Sequence, residues 1–201
     1  MILGFQREGI MDELREKCIH QTIQLCSSQG LDFTMSQLAA QLGISKKTLY
    51  VLFESKEALL LEVVNYMFDG VKASEAELLA RQDLDLAEKL CRLVVVMPDS
   101  YKTLDWRRLQ GVEEKYPAVY RQIRQRLESG WGPTLELLRQ GMAEGVLRPF
   151  EPGLLRAIVE GTIEHLLASD ALEREGLDYV QALDGMMDLL MDGIRKREEE
   201  K

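Results

Sequence analysis

The residues best suited to chemistry lie between Thr34 and Lys56, in TMSQLAAQLGISKKTLYVLFESK, where Lys46, Lys47, Thr48 and Tyr50 follow a Gly-Ile-Ser turn. Lys can pair with the O6 and N7 edge of guanine, and Thr can meet a base through its hydroxyl or methyl. Ser, Thr and Tyr hydroxyls bond phosphate oxygens. Such groups at the start of one short helix suit reading of the DNA major groove. Spacing alone is equally compatible with an ordinary helical corner carrying a solvated lysine pair.

Elsewhere the chain offers little for catalysis. His20 and His165 are the only histidines and fall in unrelated helices. The stretch GVEEKYP lacks the Gly-Lys-Ser/Thr ending of a phosphate loop, and there is no nucleophile elbow. Cys18, Cys26 and Cys91 form neither a metal spacing nor a disulfide framework, so buried packing residues of a reducing cytoplasm are expected. No catalytic residue, metal ligand or cofactor is expected.

The elements that position the Thr34–Lys56 set follow from their ends. Thr34 with Gln37 three residues on is a capping-box pattern. Met35, Leu38, Ala39 and Leu42 then form an apolar stripe at helical spacing. Gly43 suits the left-handed position that ends a helix, and Ser45 is a second N-cap. Leu49, Leu52 and Phe53 give the following helix a buried side, which leaves Lys46, Lys47, Thr48 and Tyr50 on other faces. Ser55 caps the next helix, with Lys56 in its first turn. Two helices joined by a short Gly turn make a helix-turn-helix.

This stretch resembles the N-terminal DNA-binding domain of the TetR (tetracycline-repressor) family of bacterial regulators. The resemblance rests on Gly30, Leu31, Thr34, Met35, Leu38, Ala39, Gly43, Ile44, Ser45, Lys46, Thr48, Leu49, Tyr50, Phe53, Ser55, Lys56, Glu57 and Leu59 at fixed offsets. It implies that Thr34 bonds a phosphate or caps its helix and that Ser45, Lys46, Lys47 and Thr48 lie at the groove, Lys47 and Thr48 foremost at the bases. It implies phosphate contacts for Tyr50 and Lys56, and it adds Ser36 to the DNA-facing set. Lys47 stands where the family often has Gly, Val51 and Leu52 replace residues that are often aromatic, His or Arg, and Cys26 stands where Phe is common.

Charge bears on the same reading. The chain is acidic, with 25 basic and 34 acidic residues and a net charge of −9. Residues 1–60 hold six basic and seven acidic groups, a net −1, so −8 falls on the rest. Between Thr34 and Phe53 stand two lysines and no acid. Phosphate neutralisation needs a local basic surface rather than a basic protein. Charged residues at 29% and apolar residues at 46% suit a soluble chain with a substantial core. No stretch approaches the roughly 20 apolar residues of a membrane helix. The start, MILGFQREGIMDEL, lacks a secretory pattern.

The remainder reads as helix: residues 10–29, a connecting helix over 55–71, then 84–97, 104–114, 117–143 with bends at Gly130 and Gly132-Pro133, 153–168 and 177–197 before a charged tail over 195–201. The β-branched end of 84–97, Val94-Val95-Val96, is read as buried helix for want of a second strand. The last two long helices carry apolar faces. Leu155, Ile158, Val159, Thr162 and Leu166 on one, and Leu183, Met187, Leu190 and Met191 on the other, either pack inside the subunit or, as the resemblance implies, form a four-helix dimer interface. Met97, Tyr101, Trp106, Tyr120, Trp131, Met142 and His165 are either core or the lining of an effector pocket.

The expectation is therefore an all-α protein with a helix-turn-helix domain at 1–54 and a helical effector and dimerisation domain at 55–201. It would be a cytoplasmic transcription regulator, read first as a repressor with an activator of the same fold as the alternative, and with a double-stranded DNA operator, a second copy and a small-molecule effector as partners. A helical adaptor that binds only protein and an enzyme built on a helical bundle are the readings it displaces.

Overall fold

The computed structural model describes residues 2–196, with side chains from residue 9 onward; residues 197–201 of the expected charged tail lie outside it. Helix α1 (Ile2–Gln29) ends in a 3-10 turn (Gly30–Asp32) and leads to α2 (Met35–Gln41), α3 (Lys46–Leu52) and the long α4 (Lys56–Ala80). There follow α5 (Leu86–Leu93), α6 (Asp99–Lys102), a 3-10 turn (Trp106–Leu109), α7 (Val112–Lys115), α8 (Pro117–Glu128), α9 (Gly132–Ala143), α10 (Pro152–Ala168), α11 (Ala171–Arg174) and α12 (Tyr179–Ile194). The described residues contain no strand, only an isolated bridge from Leu147 to Arg195 that ties the end of α12 to the loop after α9.

The first bundle is built on α1, which packs on α2 and α4 and whose Cys18, Ile19, Thr22, Ile23, Leu25 and Cys26 are buried. Thr22 sits in this apolar setting because its hydroxyl donates to the Cys18 carbonyl one turn back (2.7 Å). Burial pushes the Cys26 thiol up to about 11, so it remains a protonated packing group. Arg15 pairs with Glu62 and lies 4.8 Å from the centre of the Phe53 ring, which fastens α1 to α4 beside the end of α3.

Helix α4 runs nine residues beyond the expected end at 71 and enters the second bundle, where it packs on α8 and α5. Asn65 accepts a hydrogen bond from Gln122 across the α4–α8 contact (2.8 Å). Three expected helices are broken. Helix α5 stops at Leu93, and residues 94–98 run without helix. The cause is local: Val94, Val95 and Val96 are β-branched, and Pro98 disfavours helical backbone at Met97. The expected 104–114 helix divides at Gln110-Gly111 into a 3-10 turn and α7, and 117–143 divides at residues 129–131 into α8 and α9. Glycines at left-handed angles mark both breaks (Gly111, φ 77°; Gly130, φ 82°).

Candidate nucleic-acid interface and ligand cavity

The caps expected for the helix-turn-helix form as full networks. Thr34 Oγ1 accepts from the Gln37 amide (3.1 Å) while Gln37 Oε1 accepts from the Thr34 amide (2.7 Å). At Gly43 the chain turns at φ 66°, and the Ile44 amide returns to the Ala39 carbonyl (3.0 Å). Ser45 Oγ accepts from the Thr48 amide (3.0 Å) and shares a hydrogen bond with the Thr48 hydroxyl (2.8 Å). These bonds fix where α3 starts and how it leaves α2.

With Leu49 and Leu52 buried, α3 presents Ser45, Lys46, Lys47, Tyr50 and Val51 outward, and Thr48 is half-buried. Lys46 Nζ lies 5.9 Å from the centre of the Tyr50 ring one turn on. Ser36 is exposed in the first turn of α2. Val51, 68% exposed, belongs to this face although it was read only as a departure from a family pattern. Its position four residues after Lys47 was the signal, because i and i+4 share a helix face.

Lys56 is turned the other way. Its ammonium donates to the carbonyls of Leu31 and Phe33 and lies 3.9 Å from the centre of the Phe33 ring. Those carbonyls belong to the end of the turn after α1, where main-chain acceptors lack helical partners. The expectation of an open phosphate-contacting cation is corrected to that of a clamp between the α4 start and the 31–33 turn.

In the second bundle a cavity of about 190 Å³ lies between α4, the 93–97 segment, α8, α9, α10 and α12. Its walls are largely apolar, with Lys72, Glu75 and Arg126 among the few charged groups. Met97, Tyr101, Trp106 and Trp131 line it as expected, and Trp106 stacks on Tyr179 at 4.8 Å. Tyr120, Met142 and His165 do not line it. Tyr120 is instead beside Glu113, Glu164 and Arg124. Met142 lies about two turns along α9 from Thr134, the α9 residue that reaches the cavity. His165 is exposed on the outer side of α10. The broken end of α5 was the missed feature: Val94, Val95 and Val96 line the cavity because they left the helix.

A smaller cavity of about 70 Å³ adjoins the first bundle at Cys26, Ser27 and Leu31 and shares Trp106 and Leu109 with the large one. Around that wall the bundles are joined by an Asp105 amide to Ser27 Oγ bond (2.9 Å) and a Lys115–Asp32 ion pair (2.6 Å).

The apolar faces of α10 and α12 need correction. Leu155, Val159, Leu166, Leu183, Met187 and Met191 are buried within the chain, Thr162 and Leu190 are half-buried, and only Ile158 of the expected interface set is exposed. Each helix carries two apolar stripes, and the expected one is mostly the subunit's own core. The outward stripe runs through Leu154 (61% exposed), Ile158, Gly161 and His165 on α10 and Ala182, Gly185, Met186 and Leu189 (78% exposed) on α12. Among the described residues no group of His, Cys, Asp and Glu could hold a metal ion, and no helix is long and apolar enough to cross a membrane.

Residues 19–63 match the model of the tetR family of bacterial regulatory proteins. The uncharacterized HTH-type transcriptional regulator YvaF of Bacillus subtilis (strain 168) is 24% identical over 184 residues, 92% of this chain and 97% of that protein. A structure from Saccharomonospora viridis in complex with choline superimposes with a TM-score of 0.71 at 20% identity, covering 92% of this chain and 100% of that one. The FadR regulator of Bacillus subtilis in complex with stearoyl-CoA gives 0.62 at 20% identity, covering 90% and 99%. The helix-turn-helix segment thus matches the tetR family of bacterial regulatory proteins over residues 19–63, and the chain as a whole is similar in fold to regulators of this kind.

Proposed function

We propose that the chain is a ligand-responsive repressor that binds a palindromic operator as a homodimer, with residues 1–54 as reading head and 55–201 as effector and dimerisation domain. The observation that carries the reading is the outward face of α3, where Lys46, Lys47, Tyr50 and Val51 stand free of acid while the opposite side is buried. Lys47 and Thr48 read base edges, with Val51 placed for a thymine methyl. Thr34, Ser36, Ser45, Lys46 and Tyr50 serve phosphates and the caps that orient them. Two heads about one helical turn apart supply the specificity that one short helix lacks, and the outer stripe of α10 and α12 is the surface on which two copies meet. Acting on DNA, the protein works in the cytoplasm.

The cavity is the effector site. Proteins of the same fold hold choline and stearoyl-CoA, which supports a ligand role without naming the ligand here. A ligand releases the operator only as far as it prefers a dimer with the heads wrongly spaced. The test is binding of the full chain to DNA upstream of its own gene, over a salt series. Sequence-dependent binding that weakens with salt is expected; its absence overturns the reading. A promoter fusion whose output rises on deletion of the regulator distinguishes repression from activation.

A further inference from the structure

The large cavity carries more chemistry than its apolar walls suggest. Tyr101, Thr134 and Tyr179 all line it, and each is more than nine-tenths buried, at 6%, 6% and 7% exposure. None of their hydroxyls has a hydrogen-bond partner among the described residues. The only sealed and unpartnered side-chain polar atom there is Gln110 Nε2. The Tyr101 hydroxyl packs against Gly70 of α4, which does not line the cavity, so Thr134 and Tyr179 are the two whose hydroxyls have the cavity as the open space beside them. A buried hydroxyl without a partner costs stability, so these two mark a surface shaped for a polar atom of a guest. Burial pushes the phenols of Tyr101 and Tyr179 up, so both remain neutral and can donate as well as accept.

The charged groups at the rim point to what the guest lacks. Lys72 Nζ meets both carboxylate oxygens of Glu75 at 2.8 Å and the Gly130 carbonyl at 3.4 Å, which uses all three of its donors. Arg126 bonds Asp69 at 2.5 Å. With Lys72 paired to Glu75 and Arg126 to Asp69, the rim carries no net charge and gives neither a carboxylate nor a cation an unpaired counter-ion. Size gives the third limit. An apolar cavity of about 150 Å³ holds benzene, so about 190 Å³ has room for one ring and a few further atoms.

We infer that the cavity binds a small uncharged molecule with an apolar body and a single hydroxyl or carbonyl group, of the size of an alkylphenol. This rests on the reading of the cavity as a ligand site. The guest's oxygen meets the hydroxyls of Thr134 and Tyr179, and its body fills the space against Trp106 and the 93–97 segment.

Four probes of similar shape separate the alternatives: 4-ethylphenol, ethylbenzene, 4-ethylbenzoate and 2-phenylethylammonium, titrated calorimetrically into the full chain. The expected order has 4-ethylphenol tightest, about tenfold ahead of ethylbenzene, the worth of one hydrogen bond, with no saturable binding of the two ions. Tyr179→Phe and Thr134→Val should together remove the preference for 4-ethylphenol while retaining ethylbenzene, whose binding reports that the cavity is still formed; each single variant is the fallback if the double variant does not fold. Binding of either ion as tightly as the phenol overturns the inference, as does a hydroxyl preference that survives the two substitutions, or no binding of any probe. Operator affinity is measured separately. A phenol that binds without weakening DNA binding upholds the ligand class and removes the effector role, whereas release of DNA by a charged ligand keeps the effector role and overturns the class.

Discussion

Gly30 meets the carbonyl oxygen of Arg108 so closely that a Cβ added to it would stand 2.8 Å away. Gly30 follows α1 in the first bundle, and Arg108 belongs to the 3-10 turn whose Trp106 and Leu109 form the wall shared by the two cavities. The contact is backbone on one side and has no flexible side chain to yield. It is a close join between the bundle that carries the helix-turn-helix and the bundle that holds the large cavity.

Gly30→Ala therefore carries two penalties, a left-handed φ of 67° and a clash with main chain. Gly43→Ala is the matched control, with φ 66° and nothing within 4 Å. The control should cost on the order of 1 kcal/mol, and Gly30→Ala on the order of 1–3 kcal/mol more, both read from urea unfolding. Gly30→Ala should also change how strongly a ligand weakens operator binding, while Gly43→Ala leaves that ratio intact. Equal destabilisation by the two would show that the Arg108 turn gives way and is no rigid join.

The outer stripe of α10 and α12 makes a prediction that the buried stripe does not. Leu189→Glu places a charge on a side chain that is 78% exposed within the subunit, so the folded chain should survive with its helix content unchanged. Sedimentation should show monomers in place of dimers. Leu183→Ala, at a site 3% exposed, should instead cost about 2–5 kcal/mol through the cavity it leaves. A Leu189→Glu protein that stays dimeric removes this stripe from the interface.

These two stripes show where the sequence stops being informative. Thr34 with Gln37, Gly43, and Ser45 with Thr48 are local devices, each acting within three or four residues, so the caps and the turn of the helix-turn-helix were legible to the single residue. Helix α10 is apolar on two sides, at Leu154 and Ile158 and again at Leu155 and Val159, and only tertiary packing decides which side the chain keeps for itself. Lys56 misled for the same reason, since its acceptors Leu31 and Phe33 are distant in sequence. In the cavity, Trp106 and Trp131 were found by type, whereas Thr134 and Tyr179 join it only once α9 and α12 are folded against α5 and α10.

Lys47 and Lys56 should separate cleanly in DNA binding. Lys47→Ala removes an exposed cation from the start of α3 and should cost on the order of 1–3 kcal/mol, with relaxed preference at one base pair. Lys56→Met removes donors that bind the chain's own carbonyls. It should lower the urea midpoint and leave the salt dependence of DNA binding at its wild-type slope. A reduced slope for Lys56→Met, by about one phosphate contact, would return Lys56 to the DNA face.

Tyr179 should govern stability in alkali. Its phenol is buried between Trp106 and the large cavity, and burial pushes it well above its ordinary value near 10. Above that pH the unfolded chain gives up the proton and the folded chain keeps it, so the folded state binds more protons and stability falls as pH rises. Below pH 10 the two states are equally protonated at this site, and the contribution is fully retained. The fall should approach about 1.4 kcal/mol per pH unit until the folded phenol itself ionises. Tyr179→Phe removes the linkage, so its urea midpoint should decline less steeply than that of the wild type between pH 9.5 and 11 (a working range of about one and a half units). The remaining tyrosines are common to the two proteins and cancel in the comparison. Parallel curves would mean that solvent reaches the phenol freely, and the hydroxyl would then be no buried partner for a ligand.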